Sequence, residues 1–252
     1  MKQKYKPNND GVIIESKPTI KYEDGSFYVG EWVKNSDNRH GRGIHIWEDS
    51  SKYTGQWAND MPNGQGKYEK SNGDYYEGNW INGKANGFGK FYHKNGSIYE
   101  GYWKNDKQNG EGKEIWPDGS TYEGEYEDGE RSGRGKFSWS GGNYYCGEFL
   151  HNQIHGKGKY FFADRRKYDG EWKFNKMDGN GIFEWPDGKV YEGEYKKDKK
   201  EGYGTYRWPD GRIYKGYWKN GKQHGEGNFY NPKKIEWKKG IWVNGKRSEW
   251  IS

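Results

Sequence analysis

Nine Gly-x-Gly pairs, running from Gly41/Gly43 and Gly64/Gly66 to Gly225/Gly227, are the residues whose type and spacing come nearest to chemistry. Such pairs cradle phosphate when a helix follows and presents its N-terminus to the anion. Helical periodicity follows none of these, and nine copies point to packing. His40, His155 and His224 each stand immediately before a pair, and His151 with His155 forms an i,i+4 pair. Solvent-exposed turn exits are expected there, and no metal site. Cys146 is the single cysteine, which leaves no intrachain disulfide and no cysteine-based zinc site. No acid pair or Ser/His/Asp set recurs with catalytic logic. The expectation is a chain without enzymatic activity, catalytic residues or cofactors, whose function lies in a repeated surface.

Composition narrows the remaining classes. Of 252 residues 41 are glycine, 32% are charged and 29% hydrophobic, while Tyr, Trp and Phe alone make up 19%; mean hydropathy is −1.47. Low hydropathy with abundant charge suggests disorder, but each ring that is buried removes about 150–250 Å² from water. An ordered chain is therefore expected. The net charge of +6 arises from 43 basic and 37 acidic residues with both signs interspersed, which reads as a solvated face and excludes a nucleic-acid-binding surface. No apolar run approaches the roughly 20 residues that span a bilayer. Met1 to Asp10 lack an apolar secretory segment, and the lone cysteine suits a reducing compartment.

The elements behind these residues repeat every 23 positions. First strands begin at Tyr28, Tyr53, Tyr76, Tyr99, Tyr122, Tyr145, Tyr168, Tyr191 and Tyr214. Glycine follows two residues later in all nine, and an aromatic four later, as in Gly55/Trp57 and Gly124/Tyr126. Period two in Tyr-x-Gly-x-Trp and in Gly-x-Gly-x-Phe-x-Trp puts these side chains on one face of a strand. Asn82-Gly83, Asp128-Gly129 and Asn220-Gly221 mark tight turns inside units, and Asn72-Gly73, Asp118-Gly119 and Asp210-Gly211 mark turns between them. Each unit is thus a β-hairpin, its strand glycines leaving room for neighbouring rings. The predicted fold is all-β, an elongated single-layer twisted ribbon of stacked antiparallel hairpins with an aromatic groove. Residues 1–19 are expected as an N-terminal tail, 20–245 as the repeat array and 246–252 as a C-terminal tail. On the other face, acids of first strands (Glu123/Glu125, Asp169/Glu171) and bases of second strands (Arg134/Lys136, Lys157/Lys159) are expected to pair across strands.

Tyr-Glu-Gly-Glu-Tyr followed by Gly-x-Gly at this period resembles the MORN-repeat family over residues 28–245, as nine full repeats with partial repeats at the ends. The resemblance implies a binding or scaffolding role for partner proteins at cilia, basal bodies, cytoskeleton or membrane junctions. It makes a ciliary or axonemal assembly of the radial-spoke-head kind, in cytoplasm and cytoskeleton, the expected setting. Partner segments are expected along Tyr76, Trp80, Tyr99, Trp103, Tyr122, Tyr126, Tyr145, Phe149, Tyr168 and Trp172.

Specificity is expected where copies depart from the repeat. The Val33 to His40 loop carries two extra residues, and Arg165, Arg166 and Lys167 make a basic turn. Outward apolar residues form two patches five repeats apart: Phe88, Tyr102 and Ile115, then Tyr203, Tyr217 and Tyr230. The alternative reading is a peripheral membrane module binding acidic phospholipids or phosphoinositides through its bases. Self-association through edge strands at Ile20 to Tyr22 and Lys238 to Trp242 is a further expectation.

Overall fold

The computed structural model describes residues 11–251, so residues 1–10 of the expected N-terminal tail lie outside the described residues. Among the described residues 22 strands form and no helix. The chain divides into two compact units, one ending at Gly129 and the other beginning at Glu130. In the first, Phe27–Val33 pairs antiparallel with Arg39–Ile46, that strand with Lys52–Ala58, and so on in chain order to Thr121–Glu127. In the second, the same order runs from Glu130–Ser138 to Lys246–Trp250. Each unit is therefore a ribbon of antiparallel hairpins, as the period-two pattern requires.

The turns inside hairpins place both central residues at positive φ, as in Asn59-Asp60 (51°, 68°) and Asn82-Gly83 (48°, 77°). This is the mirror-image turn whose twist matches that of the strands it joins. The first glycine of each pair sits at a bulge. Gly64 has φ +91°, and the register slips between Gly55 and Trp57 opposite it. The bulge leaves a strand N–H without a ladder partner, and the polar residue across the hairpin takes it. Gln65 N–H donates to Gln56 Oε1 (2.7 Å), Arg42 N–H to Glu31 Oε2 (2.6 Å) and Tyr203 N–H to Glu194 Oε1 (2.9 Å). First-strand acids thus divide their work. The position before the strand glycine makes the expected cross-strand ion pairs, Lys90–Glu100 at 3.0 Å and Lys159–Asp169 at 2.8 Å. The position after it serves the bulge.

The core is tyrosine laid on glycine. The nine first-strand tyrosines are 0–3% exposed, and each donates its hydroxyl to the backbone carbonyl three residues on, at 2.9–3.1 Å. The rings of Tyr28, Tyr53, Tyr76 and Tyr99, and of Tyr145, Tyr168, Tyr191 and Tyr214, lie over the glycines of both strands of their hairpins, where any Cβ would collide. Within each unit such rings are gripped edge-to-face by the aromatic of their own strand and that of the next hairpin, as Tyr53 is by Trp57 (5.2 Å) and Trp80 (5.3 Å) and Tyr191 by Tyr195 (5.2 Å) and Trp218 (5.1 Å). Tryptophans close the joint by donating Nε1–H to a glycine carbonyl of the preceding hairpin, as Trp80 does to Gly66 (3.0 Å) and Trp172 to Gly158 (3.1 Å).

Trp32 and Tyr195 break this rule, since among the described residues neither the Trp32 Nε1–H nor the buried Tyr195 hydroxyl finds a hydrogen-bond partner. An unmet buried hydroxyl costs about 1–3 kcal/mol. Tyr195→Phe is accordingly expected to raise stability by about 1 kcal/mol in urea unfolding, and a loss would show that the hydroxyl is satisfied.

Both ends differ from the sequence expectation. Ile20–Lys21 pairs with Phe27–Val33 as the strand expected there, but Ile14–Ser16 pairs with it too, so part of the expected N-terminal tail is sheet. The two extra residues of the Val33 to His40 loop serve this strand. Lys34 N–H donates to Ile13 O, Asn35 N–H to Glu15 Oε1, and Lys17 Nζ to Ser36 O (2.7 Å). At the other end Lys238 to Trp242 is not an open edge. Glu236–Val243 is flanked by Lys222–Asn231 on one side and Lys246–Trp250 on the other, so most of the expected C-terminal tail is a final strand. Trp250 packs against Trp242 (5.9 Å, 87°) and over Gly240, supplying the ring that Lys238 lacks as the degenerate repeat's counterpart of tyrosine.

A candidate protein-binding face

Nine of the ten rings expected to grip a partner are core residues. Tyr76, Trp80, Tyr99, Tyr122 and Tyr126 in the first unit and Tyr145, Phe149, Tyr168 and Trp172 in the second are at most 8% exposed; Trp103 is half-buried. These positions lie mid-strand, where rings of the same strand and of an adjacent hairpin cover them, as Trp80 and Trp103 cover Tyr76. They build the floor of the face and cannot be its contact points.

The lining comes instead from the last two same-face positions of each second strand, whose rings in the second unit are half-buried except for Phe183, a core residue at 6% exposure. In the second unit these rings form an unbroken row. Phe137, Trp139, Tyr160, Phe162, Phe183, Trp185, Tyr206, Trp208 and Phe229 follow one another at centroid spacings of 4.4–6.2 Å. In the first unit Lys70, His93 and Glu114 stand at places where this row has rings. The Gly-x-Gly-x-Phe-x-Trp pattern announces these positions; what it conceals is that strand ends are covered less than strand middles.

One further position decides how much of this face is open. It lies just after the hairpin turn and recurs every 23 residues, as Arg39, Pro62, Ala85 and Gln108 in the first unit and Arg131, Ile154, Met177, Lys200 and Gln223 in the second. A long side chain here reaches over the rings. The Arg39 guanidinium lies 4.3 Å from the Trp57 ring and 5.6 Å from Tyr28, held by Asp60 at 2.5 Å and donating to His45 Nδ1 at 2.9 Å. That bond requires a neutral His45, and burial followed by the charge of Arg39 lowers the His45 pKa accordingly. Pro62 and Ala85 are too short to reach over theirs. Above them is a cavity of about 570 Å³ walled by Trp47, Tyr68, Trp80, Phe91 and Trp103, with Lys70 and Asp106 also lining it.

The other expected sites separate clearly. Phe88 and Tyr102 are direct cross-strand partners, 45% and 52% exposed and edge-to-face at 5.6 Å. Tyr203 and Tyr217 repeat this at 47%, 54% and 5.5 Å. Ile115 is exposed, whereas Tyr230 is half-buried against Trp237 (5.2 Å). In the basic turn, Arg166 is bound to Asp164 (2.7 Å) and stacks on Phe162, the arrangement that Arg212 makes with Asp210 and Trp208. Lys167 faces Glu184 at 3.9 Å. His151 pairs with Glu130 (2.7 Å) while His155 lies against Phe174, so the two histidines do not converge. His40, His155 and His224 are buried or half-buried, not the open turn exits expected, because the bulge turns them inward.

Arg165 is the exception in its turn. It holds φ +71° where corresponding turns carry Gly142, Gly188 and Gly211. A left-handed residue with a Cβ costs about 1 kcal/mol relative to glycine. Arg165→Gly is expected to stabilise the chain by that amount, read as a higher urea midpoint; an unchanged midpoint would mean no strain is held there.

Comparison with known proteins agrees with this repeat geometry. The profile described as MORN repeat matches nine consecutive segments, 28–52, 53–75, 76–98, 99–121, 122–144, 145–165, 168–190, 191–211 and 214–233. No curated protein matches the chain. Among solved structures, the SAS-4 (dCPAP) TCP domain of Drosophila melanogaster, in complex with a proline-rich motif of Ana2, is 12% identical, with a TM-score of 0.41, 62% of this chain and 84% of that one covered. The CPAP G-box domain is 13% identical with a TM-score of 0.45, over 76% and 99% of the two chains. The TCP10 domain of Danio rerio CPAP is 10% identical with a TM-score of 0.33, over 94% and 99%. Scores this low do not establish a shared fold. Nine contiguous repeat matches do establish the family: the chain belongs to the MORN-repeat proteins, whose repeats are non-enzymatic modules for protein or membrane interaction.

Proposed function

We propose that this chain is a non-catalytic scaffold that holds a segment of another protein on the ring-lined face of its first unit. The observation that carries this is the cavity over Pro62 and Ala85, open between aromatic walls where other repeats, as at Arg39 and Lys200, place a cation of the chain itself over the rings. A few rings in such a cavity supply most of an interface's affinity. Outward bases such as Lys67, Lys90 and Lys159 are each paired with an acid, which favours a protein partner over an anionic membrane. The exposed pairs Phe88–Tyr102 and Tyr203–Tyr217 offer two equivalent secondary contacts, and unchanged assembly of a Tyr102→Ser/Tyr217→Ser variant would remove them from the proposal.

A photo-crosslinking residue at position 70, on the cavity rim, is expected to yield defined protein adducts in cells. Ala85→Met, which puts into the cavity the side chain that Met177 carries at the same position of its repeat, should abolish them, while a crosslinker at position 77 on the other face is unaffected. Adducts that persist in Ala85→Met would overturn the reading. The ciliary, radial-spoke-like setting is part of the proposal on family resemblance alone; a tagged chain that stays away from cilia and microtubule arrays would end it.

A further inference from the structure

Lys200 shows what one of these ring sets accepts. Its ammonium lies 4.7–5.0 Å from the centroids of four rings, Trp185, Tyr191, Tyr206 and Trp218. Six repeats earlier the same four ring types recur in the same places: Trp47, Tyr53, Tyr68 and Trp80, with Pro62 where Lys200 would stand. The walls match closely. Trp47–Tyr68, Tyr53–Trp80 and Tyr68–Trp80 are 5.5, 5.3 and 6.3 Å apart, against 5.8, 5.1 and 6.0 Å in the Lys200 set. Tyr68 stands edge-on to Trp47 and Trp80 (89°, 80°), where Tyr206 is tilted (46°, 37°). The turns opposite also agree, since Gly83 faces Pro62 as Gly221 faces the Lys200 repeat.

We propose that the four rings around Pro62 form a vacant cation cage that receives a methylated ammonium side chain from the partner segment. The proposal rests on the partner-binding reading of this face. Ring faces carry negative charge density and attract a cation placed over them, most of all one that is weakly hydrated. Methylation matters because no carboxylate offsets burial in the Lys200 cage, and Asp106, which lines the cavity over Pro62 and Ala85, already accepts the Ala85 N–H at 2.8 Å. Burial alone lowers the Lys200 pKa to about 8, so an ordinary ammonium gives up hydration there that the rings only partly replace. A trimethylated nitrogen has no N–H to leave unmet and no proton to lose. The neighbouring ring set at Ala85 is excluded, because Lys70 stands where its fourth ring would be and holds its own ammonium 5.2 Å from Phe91. Elsewhere among the described residues a longer side chain holds this position, as Gln108, Arg131, Ile154, Met177 and Gln223 do, so one vacant cage is expected.

The test is titration of the full chain with Nα-acetyl-trimethyl-lysine amide and with its uncharged carbon isostere, followed by calorimetry and by the ring-current shift of the N-methyl proton signal. One equivalent of the cation is expected to bind at least tenfold more tightly than the isostere. Pro62→Lys, which copies the native Lys200–Gly221 arrangement, should abolish binding, and Lys200→Ala should add a second equivalent. Equal affinity for the isostere, undiminished binding to Pro62→Lys, or no second site in Lys200→Ala would each overturn the proposal. Failure here with Ala85→Met still removing the position 70 adducts condemns the cage alone; binding of the cation with no such adducts condemns the partner-face reading.

Discussion

Raising the pH from 10 to about 11.5 will unfold this protein cooperatively, at a pH where exposed tyrosines titrate without consequence. Tyr28, Tyr53, Tyr76 and Tyr99 in the first unit and Tyr145, Tyr168, Tyr191, Tyr195 and Tyr214 in the second are all held above the ordinary tyrosine pKa, burial being the first cause in every case. Eight of these hydroxyls donate to a backbone carbonyl, a bond that the phenolate cannot make. Above pH 10 the unfolded chain therefore loses protons that the folded chain keeps, and stability falls as pH rises. Each tyrosine contributes about 1.4 kcal/mol at pH 11. Four in one unit and five in the other amount to roughly 6 and 7 kcal/mol, comparable with the whole stability of a typical domain.

Tyrosinate absorbance should then rise in two stages. Solvent-exposed phenols have an ordinary pKa of about 10, and the buried set follows at higher pH together with loss of the far-ultraviolet circular dichroism signal. A single smooth titration with the strand signal intact would mean that the rings ionise in place. The acid limb is weaker in kind. Asp24 and Asp49 sit below the usual carboxylate range because Ser26 and Ser51 donate to them in exposed turns, so that support is lost only as pH falls through their folded pKa values, below about 3.8.

The hairpin ribbon was legible because Tyr, Gly and Trp recur at period two and turn signals separate them. The role of the rings was harder to read. Tyr76 and Trp80 look like binding residues in sequence because aromatics recognise partners and a single-layer ribbon has no second layer to cover them. Edge-to-face contact with the next hairpin covers them instead, and that contact spans 23 or more residues. The position of Arg39, Pro62 and Lys200 carries no pattern at all, since charged, apolar and amide residues alternate there. Its meaning appears only when the ring set around each copy is known. The final strand Lys246–Trp250 was unreadable for a related reason. It has lost the glycines of its predecessors, and only the single ring of Trp250 reports its place over Gly240.

Gly66→Ala tests the central joint of this fold, and an expected loss of at least about 4 kcal/mol follows from what surrounds it. Gly66 pairs with Gly55 on one side and Gly78 on the other, and a Cβ there would enter the ring and hydroxyl of Tyr53. Tyr53 has nowhere to go. Trp57 and Trp80 hold its two sides, and its hydroxyl is bound to Gln56 O at 2.9 Å. The added methyl must therefore expel the ring, and loss of a fully buried aromatic costs about 3–5 kcal/mol, to which the broken hydroxyl bond adds about 1.

Gly119→Ala is the control. Its Cβ meets nothing within 4 Å, so only the positive φ of +87° opposes it, worth about 1 kcal/mol. A Tyr53→Ala background supplies the second check, since with the ring gone Gly66→Ala should add less than about 1 kcal/mol and the two changes should be strongly non-additive. Equal costs for Gly66→Ala and Gly119→Ala, or additivity with Tyr53→Ala, would mean that the strand ladders alone hold the first unit and that the tyrosines merely cover it.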